Sequence, residues 1–282
     1  MNALSDCFTL QNGVKMPCIG YGTFKMEDDA AERTVREAIA RGYRHIDTAS
    51  VYGNETGVGR AVRACGVPRE DLSITSKLWN DDQGYESTLK AFDATLSRLG
   101  LDYVDLYLIH WPAPLRIRDR FIEYNRETWR AFEKLYREGK IRAIGVSNFL
   151  EKHLVPLMEA AEVKPMVNQL EIHPAFPQRE IVDFCKQHGI VVEAWGPLMR
   201  GKAFDNPLLC ELAEKYRKSV AQILVRWCVQ YGVVPLPKTQ NPERMKQNAE
   251  IFDFSLSEED VSRMCALEAL GRTGQDPEKN PF

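Results

Sequence analysis

Short apolar runs alternate along this chain with longer segments whose apolar positions recur every three or four residues. The runs Cys18–Gly22, Arg44–Asp47, Leu72–Lys77, Val104–His110, Ile141–Val146, Met166–Leu170, Ile190–Trp195 and Val233–Leu236 read as strands. Between them, Asp29–Arg41, Glu55–Ala64, Gly84–Leu99, Thr128–Arg137, His153–Ala161, Glu180–His188 and Pro242–Ala249 read as helices. Two further helices follow Pro207, one ending at Tyr216 and one over Val220–Gln230, and a last one follows Ser257. Ahead of the first strand, Phe8-Thr9-Leu10 and Val14-Lys15-Met16 flank Gln11-Asn12-Gly13, and Asn-Gly supplies the positive φ of a tight hairpin turn.

Eight strands alternating with helices, with no Pro/Gly/Ser-rich linker, predict one (β/α)8 TIM barrel over residues 1–282. The N-terminal β-hairpin and two extra helices decorate it. A doubly wound sheet is the rival, but it needs a Gly-rich turn after its first strand. The nearest match, Gly57-Val58-Gly59, falls inside a predicted helix.

Composition narrows the class without changing this picture. With 44% hydrophobic and 27% charged residues the chain can fill a large core. A formal net charge of -3 gives no reason to expect nucleic acid as a partner. Seven cysteines are scattered without metal-ligand spacing, as expected of reduced thiols in the cytoplasm, and no metal is expected. No apolar segment reaches the roughly 18 residues that span a bilayer, and no secretory signal is legible, so no membrane partner is expected.

In a barrel, all strand C-termini meet at one rim, so residues distant in sequence converge there. Asp47, Lys77 and His110 close three consecutive predicted strands, and Tyr52 lies five residues beyond Asp47. Taken singly, each has a bland alternative: a cap or salt-bridge Asp, a packing Tyr, a hydrogen-bonded core His. Together they form an acid–base set. A phenol with a free pKa of about 10 is a poor acid at neutral pH unless a cation favours its ionised form. Lys77 is that cation, Asp47 holds it, and His110 orients a carbonyl oxygen beside the Tyr52 hydroxyl. Such a site protonates a forming alkoxide and needs a hydride source.

Later strands offer a place for one. Ser147, Asn148 and Gln169 put hydroxyl and amide groups at the ends of the fifth and sixth strands, suited to a nicotinamide carboxamide, and Trp195 offers a flat stacking face. Beyond the eighth strand, Lys238 and Thr239 precede a helix N-terminus with Arg244 in its first turn. This is a phosphate-binding arrangement, to whose charge the free helix amides and dipole add, or else a solvated basic turn.

Four runs in order resemble signatures of the aldo-keto reductase family: Gly42-Tyr43-Arg44-His45-Ile46-Asp47-Thr48-Ala49, Leu106-Tyr107-Leu108-Ile109-His110-Trp111-Pro112, Ile144-Gly145-Val146-Ser147-Asn148-Phe149 and Pro237-Lys238-Thr239. The likeness covers essentially the whole chain. Thr75-Ser76-Lys77-Leu78-Trp79-Asn80 and Ile251-Phe252-Asp253-Phe254 are similar to the short-tailed branch holding 2,5-diketogluconate reductases and trypanosomatid prostaglandin F synthases.

The resemblance implies a monomeric NADPH-dependent reductase of aldehydes and ketones, with Tyr52 as proton donor, Asp47 and Lys77 as its tuning pair, and His110 orienting the small-molecule carbonyl substrate. It also implies Gly22 and Thr23 near the nicotinamide ribose and pyrophosphate, and Pro197 and Leu198 along the pyrophosphate. Ser147, Asn148 and Gln169 would meet the carboxamide and Trp195 the ring. Lys238, Thr239 and Arg244 would hold the 2'-phosphoribose, with Asn248 near the adenine.

Three positions depart from the family pattern: Gly196 and Thr239 stand where Ser is common, and Gln247 where Glu is frequent. Phe24, Trp79 and Trp111 are expected to wall the substrate pocket, and the tail Gly271–Phe282 to cap its edge. Residues 112–127 are expected as a long loop whose Arg116, Arg118, Arg120 and Arg126 form a solvated face or read an acidic substrate. The competing function is a cofactor-binding redox-sensing or structural barrel without physiological turnover, and a sugar-phosphate barrel enzyme is a third alternative.

Overall fold

A computed structural model describes residues 1–279; the last three residues of the expected tail, through Phe282, lie outside the described residues. Its eight-stranded sheet is parallel throughout, in the order β10-β9-β8-β7-β6-β5-β4-β3. The strands are β3 (Tyr21–Gly22), β4 (His45–Asp47), β5 (Ser73–Leu78), β6 (Val104–Ile109), β7 (Ile141–Ser147), β8 (Val167–Glu171), β9 (Val191–Trp195) and β10 (Val234–Pro235). Two backbone bonds, Gly20 N to Pro235 O at 2.9 Å and Gly22 N to Pro237 O at 3.2 Å, join the ends of the sheet and close the barrel. The seam strands are shorter than the sequence predicts because Pro235 and Pro237 have no N–H to return. Gly20 lets the seam pack closely: a Cβ there would lie 2.4 Å from Leu236 Cδ2 and 2.9 Å from His45 Nδ1, so both side chains would have to shift.

The hairpin forms as expected, β1 (Cys7–Thr9) against β2 (Lys15–Pro17), with Gly13 at φ +85° in the turn. Its Gln11 and Asn12 side chains donate to the carbonyls of His188 at 3.0 Å and Arg142 at 2.9 Å. Those carbonyls sit at the N-terminal ends of β9 and β7, so the hairpin covers the end of the barrel opposite the rim.

Among the described residues, eight helices alternate with the strands: α1 (Asp28–Ala40), α2 (Glu55–Ala64), α3 (Tyr85–Leu99), α4 (Phe121–Arg137), α5 (Glu151–Ala160), α6 (Arg179–Gln187), α8 (Val220–Tyr231) and α9 (Pro242–Ala249). The two extra ones are α7 (Pro207–Tyr216) and α10 (Glu258–Met264). Gly57-Val58-Gly59 lies inside α2, where both glycines serve packing: a Cβ on Gly57 would stand 2.0 Å from Asp28 O, and one on Gly59 1.9 Å from Leu99 O.

One expectation is corrected. Residues 112–127 are not one loop, because α4 begins at Phe121 and a 3₁₀ turn occupies Leu115–Arg120. The helix is anchored early by buried Asn125, whose side chain donates to Pro112 O at 3.0 Å, and by Phe121, whose ring meets His153 edge-on at 5.2 Å. The charge-rich run Arg116–Glu127 hides that start from apolar periodicity.

Candidate active site

The strands deliver their terminal residues to a cleft of about 670 Å³ at the rim. Beneath its floor, where Asp47 and Tyr52 line it, stands Lys77, wholly buried near the end of β5. Its Nζ donates to Asp47 Oδ1 at 2.7 Å and Oδ2 at 2.8 Å, to Thr48 O at 2.8 Å, and lies 3.4 Å from the Tyr52 hydroxyl. Burial pulls the Lys77 ammonium down, but Asp47 and Tyr52 outweigh it and the net direction is upward, so the side chain stays charged. For Tyr52, burial raises the phenol and Lys77 opposes it, with a net upward result. The phenol therefore rests protonated.

Tyr52 is held by the turn that carries it. Ser50 Oγ donates to Lys77 O at 3.0 Å on one side, and on the other Asn54 Nδ2 donates to Thr23 O and Met26 O at 2.9 and 3.0 Å. Buried Glu55 then ties the start of α2 to Ser76 and Arg98, each at 2.6 Å. These two polar residues straddle the turn's exit and fix the phenol's entry angle.

His110 follows β6 and is buried between rings: Tyr52 at 5.8 Å, Trp79 edge-on at 5.3 Å and Trp111 stacked at 6.3 Å. Burial, and then the Lys77 charge, hold its imidazole well below the usual histidine range, so it is neutral at pH 7. Phe24 packs on Tyr52 at 5.0 Å. Phe24, Trp79 and Trp111 all line the cleft.

The amide groups converge as well. Asn148, at φ +64°, donates to His110 O at 2.9 Å and to Ser147 Oγ at 3.1 Å, and accepts from Trp195 Nε1 at 2.9 Å. Gln169 Nε2 is committed to Asp47 Oδ2 at 2.9 Å and Glu193 Oε2 at 2.8 Å, which leaves its carbonyl oxygen to meet a ligand. Gly22, Ser147, Trp195, Pro197, Leu198 and Lys238 also line the cleft. Gly196 sits there at φ +66°, a conformation that favours glycine over residues with a side chain.

Other sequence-chosen residues stand back from the cleft wall. Thr23 is buried, with its hydroxyl on Asp47 O at 2.9 Å. Thr239 Oγ1 accepts from Asn241 N at 3.1 Å, Arg244 is exposed, and Asn248 is buried. The helix amides expected to help hold phosphate are already taken: Asn241 Oδ1 caps Glu243 N at 2.9 Å and Arg244 N at 3.1 Å, and Asn241 O accepts Met245 N. Any phosphate affinity there belongs to side chains. Among the described residues, none of Arg116, Arg118, Arg120 and Arg126 lines the cleft.

Sequence reasoning missed Lys25, Val51 and Arg200 on the cleft wall; Gln275 also lies there, within the tail expected at the pocket's edge. It also missed Glu171, whose Oε1 accepts from Thr273 N, Thr273 Oγ1 and Gly274 N at 2.7, 2.6 and 2.8 Å. This carboxylate seats the tail against Trp195. The only signal for Glu171 and Glu193 was a carboxylate closing or inside an apolar strand run.

A parallel barrel whose rim joins a buried Lys–Asp pair to a phenol and a neutral imidazole defines an acid–base oxidoreductase-type centre. Residues 18–269 match the model of the aldo/keto reductase family, and the chain belongs to that family. It is 53% identical over 281 residues to the glyoxal reductase of Bacillus subtilis, covering 99% of each chain. It is 48% identical over 282 residues to the 9,11-endoperoxide prostaglandin H2 reductase of Trypanosoma cruzi, covering 99% of this chain and 97% of the relative. The solved aldo-keto reductase of Bombyx mori in complex with NADP superposes with a TM-score of 0.89 at 36% identity, covering 100% of this chain and 98% of the other.

Proposed function

We propose that residues 1–282 act as one catalytic domain, a cytoplasmic monomer that reduces small aldehydes and ketones to alcohols with Tyr52 as proton donor. The observation that carries this is the Lys77 ammonium, held by Asp47 and 3.4 Å from the Tyr52 hydroxyl at the floor of an aromatic-walled cleft. NADPH, the cofactor, supplies the hydride when bound.

The chain's own residues do the rest. Tyr52, protonated at rest, gives its proton to the carbonyl oxygen as negative charge develops there, and Lys77 stabilises the phenolate left behind. Asp47 keeps Lys77 charged and in place. Neutral His110 has an N–H to offer the carbonyl oxygen, which an imidazolium would give up as acid instead.

Features of the cleft fit a phosphorylated dinucleotide. Lys25 and Lys238 share it, and Lys238 is held below the usual lysine range by burial and by Lys25, so an anion binding there relieves both. Asn248 Oδ1 is buried without a partner among the described residues, as an acceptor awaiting an adenine amino group would be. Around Gly196 a Cβ would meet nothing within 4 Å among the described residues, which leaves room beside Trp195 for a stacked ring. Trp195, Asn148, Ser147 and the Gln169 carbonyl would hold the nicotinamide; Gly22, Thr23, Pro197 and Leu198 the ribose and pyrophosphate; Lys238, Thr239 and Arg244 the 2'-phosphate.

Similarity to the glyoxal reductase and the prostaglandin H2 reductase supports the short-tailed branch and makes small dicarbonyls the first substrates to try. The test is NADPH consumption with a panel of dicarbonyl, aromatic and aliphatic aldehydes. Turnover of dicarbonyls is the expected result, and binding of NADPH with no turnover of any carbonyl would sink the proposal in favour of a sensing barrel.

A further inference from the structure

A second buried ionisable pair lies behind the catalytic one. Glu193 on β9 and His45 on β4 are both wholly buried. Gln169 Nε2 bridges the two carboxylates, with one hydrogen for Asp47 Oδ2 at 2.9 Å and one for Glu193 Oε2 at 2.8 Å. Glu193 Oε1 lies 3.3 Å from His45 Nε2, which is also 3.1 Å from Thr75 Oγ1; as an acceptor Oε1 has no hydrogen-bond partner among the described residues, so a bond to His45 requires a proton on Oε1. A continuous chain of side chains therefore runs from His45 through Glu193, Gln169, Asp47 and Lys77 to Tyr52.

Charge balance restricts its protonation. β4 turns His45 and Asp47 toward Glu193, β5 contributes Lys77, β8 the neutral Gln169, and β10 only Val234 and Pro235. Among the described residues one cation faces two carboxylates, and Lys77 is already bonded to both oxygens of Asp47. A second buried anion would lack a partner, which is costly at this depth.

We propose that Glu193 is a positioning residue for the catalytic acid: as a neutral carboxylic acid hydrogen-bonded to His45, it fixes Asp47 through Gln169 and thereby holds Lys77 under Tyr52. This rests on Tyr52 being the proton donor. Burial and then Asp47 push the Glu193 carboxyl up to about 8, and burial drives His45 down to about 4, so the proton sits on Glu193 and the imidazole is neutral. Above pH 8 the second carboxylate ionises, attracts Lys77 and weakens its support of the Tyr52 phenolate. The stability side has a definite sign. With its folded value above the ordinary carboxyl value of 4.5, Glu193 contributes fully below that value and the contribution is lost as pH rises through about 8.

Two variants test this. Glu193→Leu removes the anchor and is expected to lower kcat about tenfold at pH 7, with the carbonyl KM little changed. Glu193→Gln keeps the shape and an N–H for His45, and is expected to restore most of that loss while removing the alkaline fall of kcat near pH 8. Independently of turnover, the melting temperature of the wild type should fall from about pH 5 to about pH 8 relative to Glu193→Gln, because only the wild type carries the titrating group. Coincident kcat–pH profiles for wild type and Glu193→Gln overturn the proposal, as does a Glu193→Leu variant with wild-type kcat. A wild type that reduces no carbonyl contradicts the proposed function instead, and the melting comparison then still decides whether Glu193 is held neutral: parallel melting profiles overturn it.

Discussion

The buried Lys77 ammonium lies 3.4 Å from the Tyr52 hydroxyl and has no water-facing surface of its own. Such a cation persists only because Asp47 accepts it at 2.7 Å and the Thr48 carbonyl at 2.8 Å. The same contacts aim its remaining charge at the phenol. Stability and catalysis thus depend on one pair, and variants can separate them.

Lys77→Met leaves Asp47 buried without its cation, and breaking such a pair costs about 3–5 kcal/mol of stability. The double variant Lys77→Met/Asp47→Asn removes both charges and should recover most of that stability while leaving kcat about 10²–10⁴-fold below wild type. Denaturant melts and NADPH oxidation on the three proteins check this. Recovery of turnover together with stability would show that the pair is structural only.

Cofactor preference should reside in side chains, since Asn241 already caps the first amides of α9. Lys238→Met and Arg244→Leu each remove a charged donor for a 2'-phosphate, and each should weaken NADPH binding about tenfold or more. NADH binding should change far less. Fluorescence titration with both nucleotides measures the difference, and equal losses for the two would contradict the assignment.

Glu171 seats the tail against the indole: a Cβ on Gly274 would lie 2.2 Å from Trp195 Cη2. Burial pushes the Glu171 carboxyl up, but bonds from His173 and Thr273 outweigh it and hold it below the ordinary value of 4.5. Its contribution is therefore complete above that value and is lost as pH falls through the lower folded one. Amide hydrogen exchange at Thr273 and Gly274 should accelerate in strong acid, and in Glu171→Ala at any pH. Unchanged protection in Glu171→Ala would show that other contacts hold the tail.

Gly59→Ala forces a methyl group to within 1.9 Å of the Leu99 carbonyl and must push α2 from α3. Overpacking of this kind costs about 1–3 kcal/mol. A lowered melting temperature with wild-type kcat at room temperature is the expected outcome.

The barrel was legible because strand and helix periods differ and each βα unit repeats them. Asp47, Lys77 and His110 were legible because a titratable group closing an apolar run is conspicuous. Tyr52 depended on its short distance from Asp47. Glu171, which also closes a strand run, and Glu193, inside one, were not singled out, since what distinguishes them is the partner each meets in the tail or across the sheet, and no local pattern encodes that partner. Lys25 and Arg200 look like ordinary surface cations until the loops fold over the rim. The start of α4 was hidden because its early turns present Arg and Glu outward and are fixed by Asn125 and Phe121 rather than by an apolar stripe.

The most direct measurement is NADPH oxidation with a small dicarbonyl by wild type and Tyr52→Phe, paired with fluorescence titration of NADPH binding. The phenol's ring packs on Phe24, and the variant keeps that ring while losing the hydroxyl 3.4 Å from Lys77. Turnover that falls about 10²–10⁴-fold in Tyr52→Phe with NADPH affinity preserved is the predicted result. A variant that reduces the carbonyl within a few-fold of the wild-type rate would contradict Tyr52 as the proton donor.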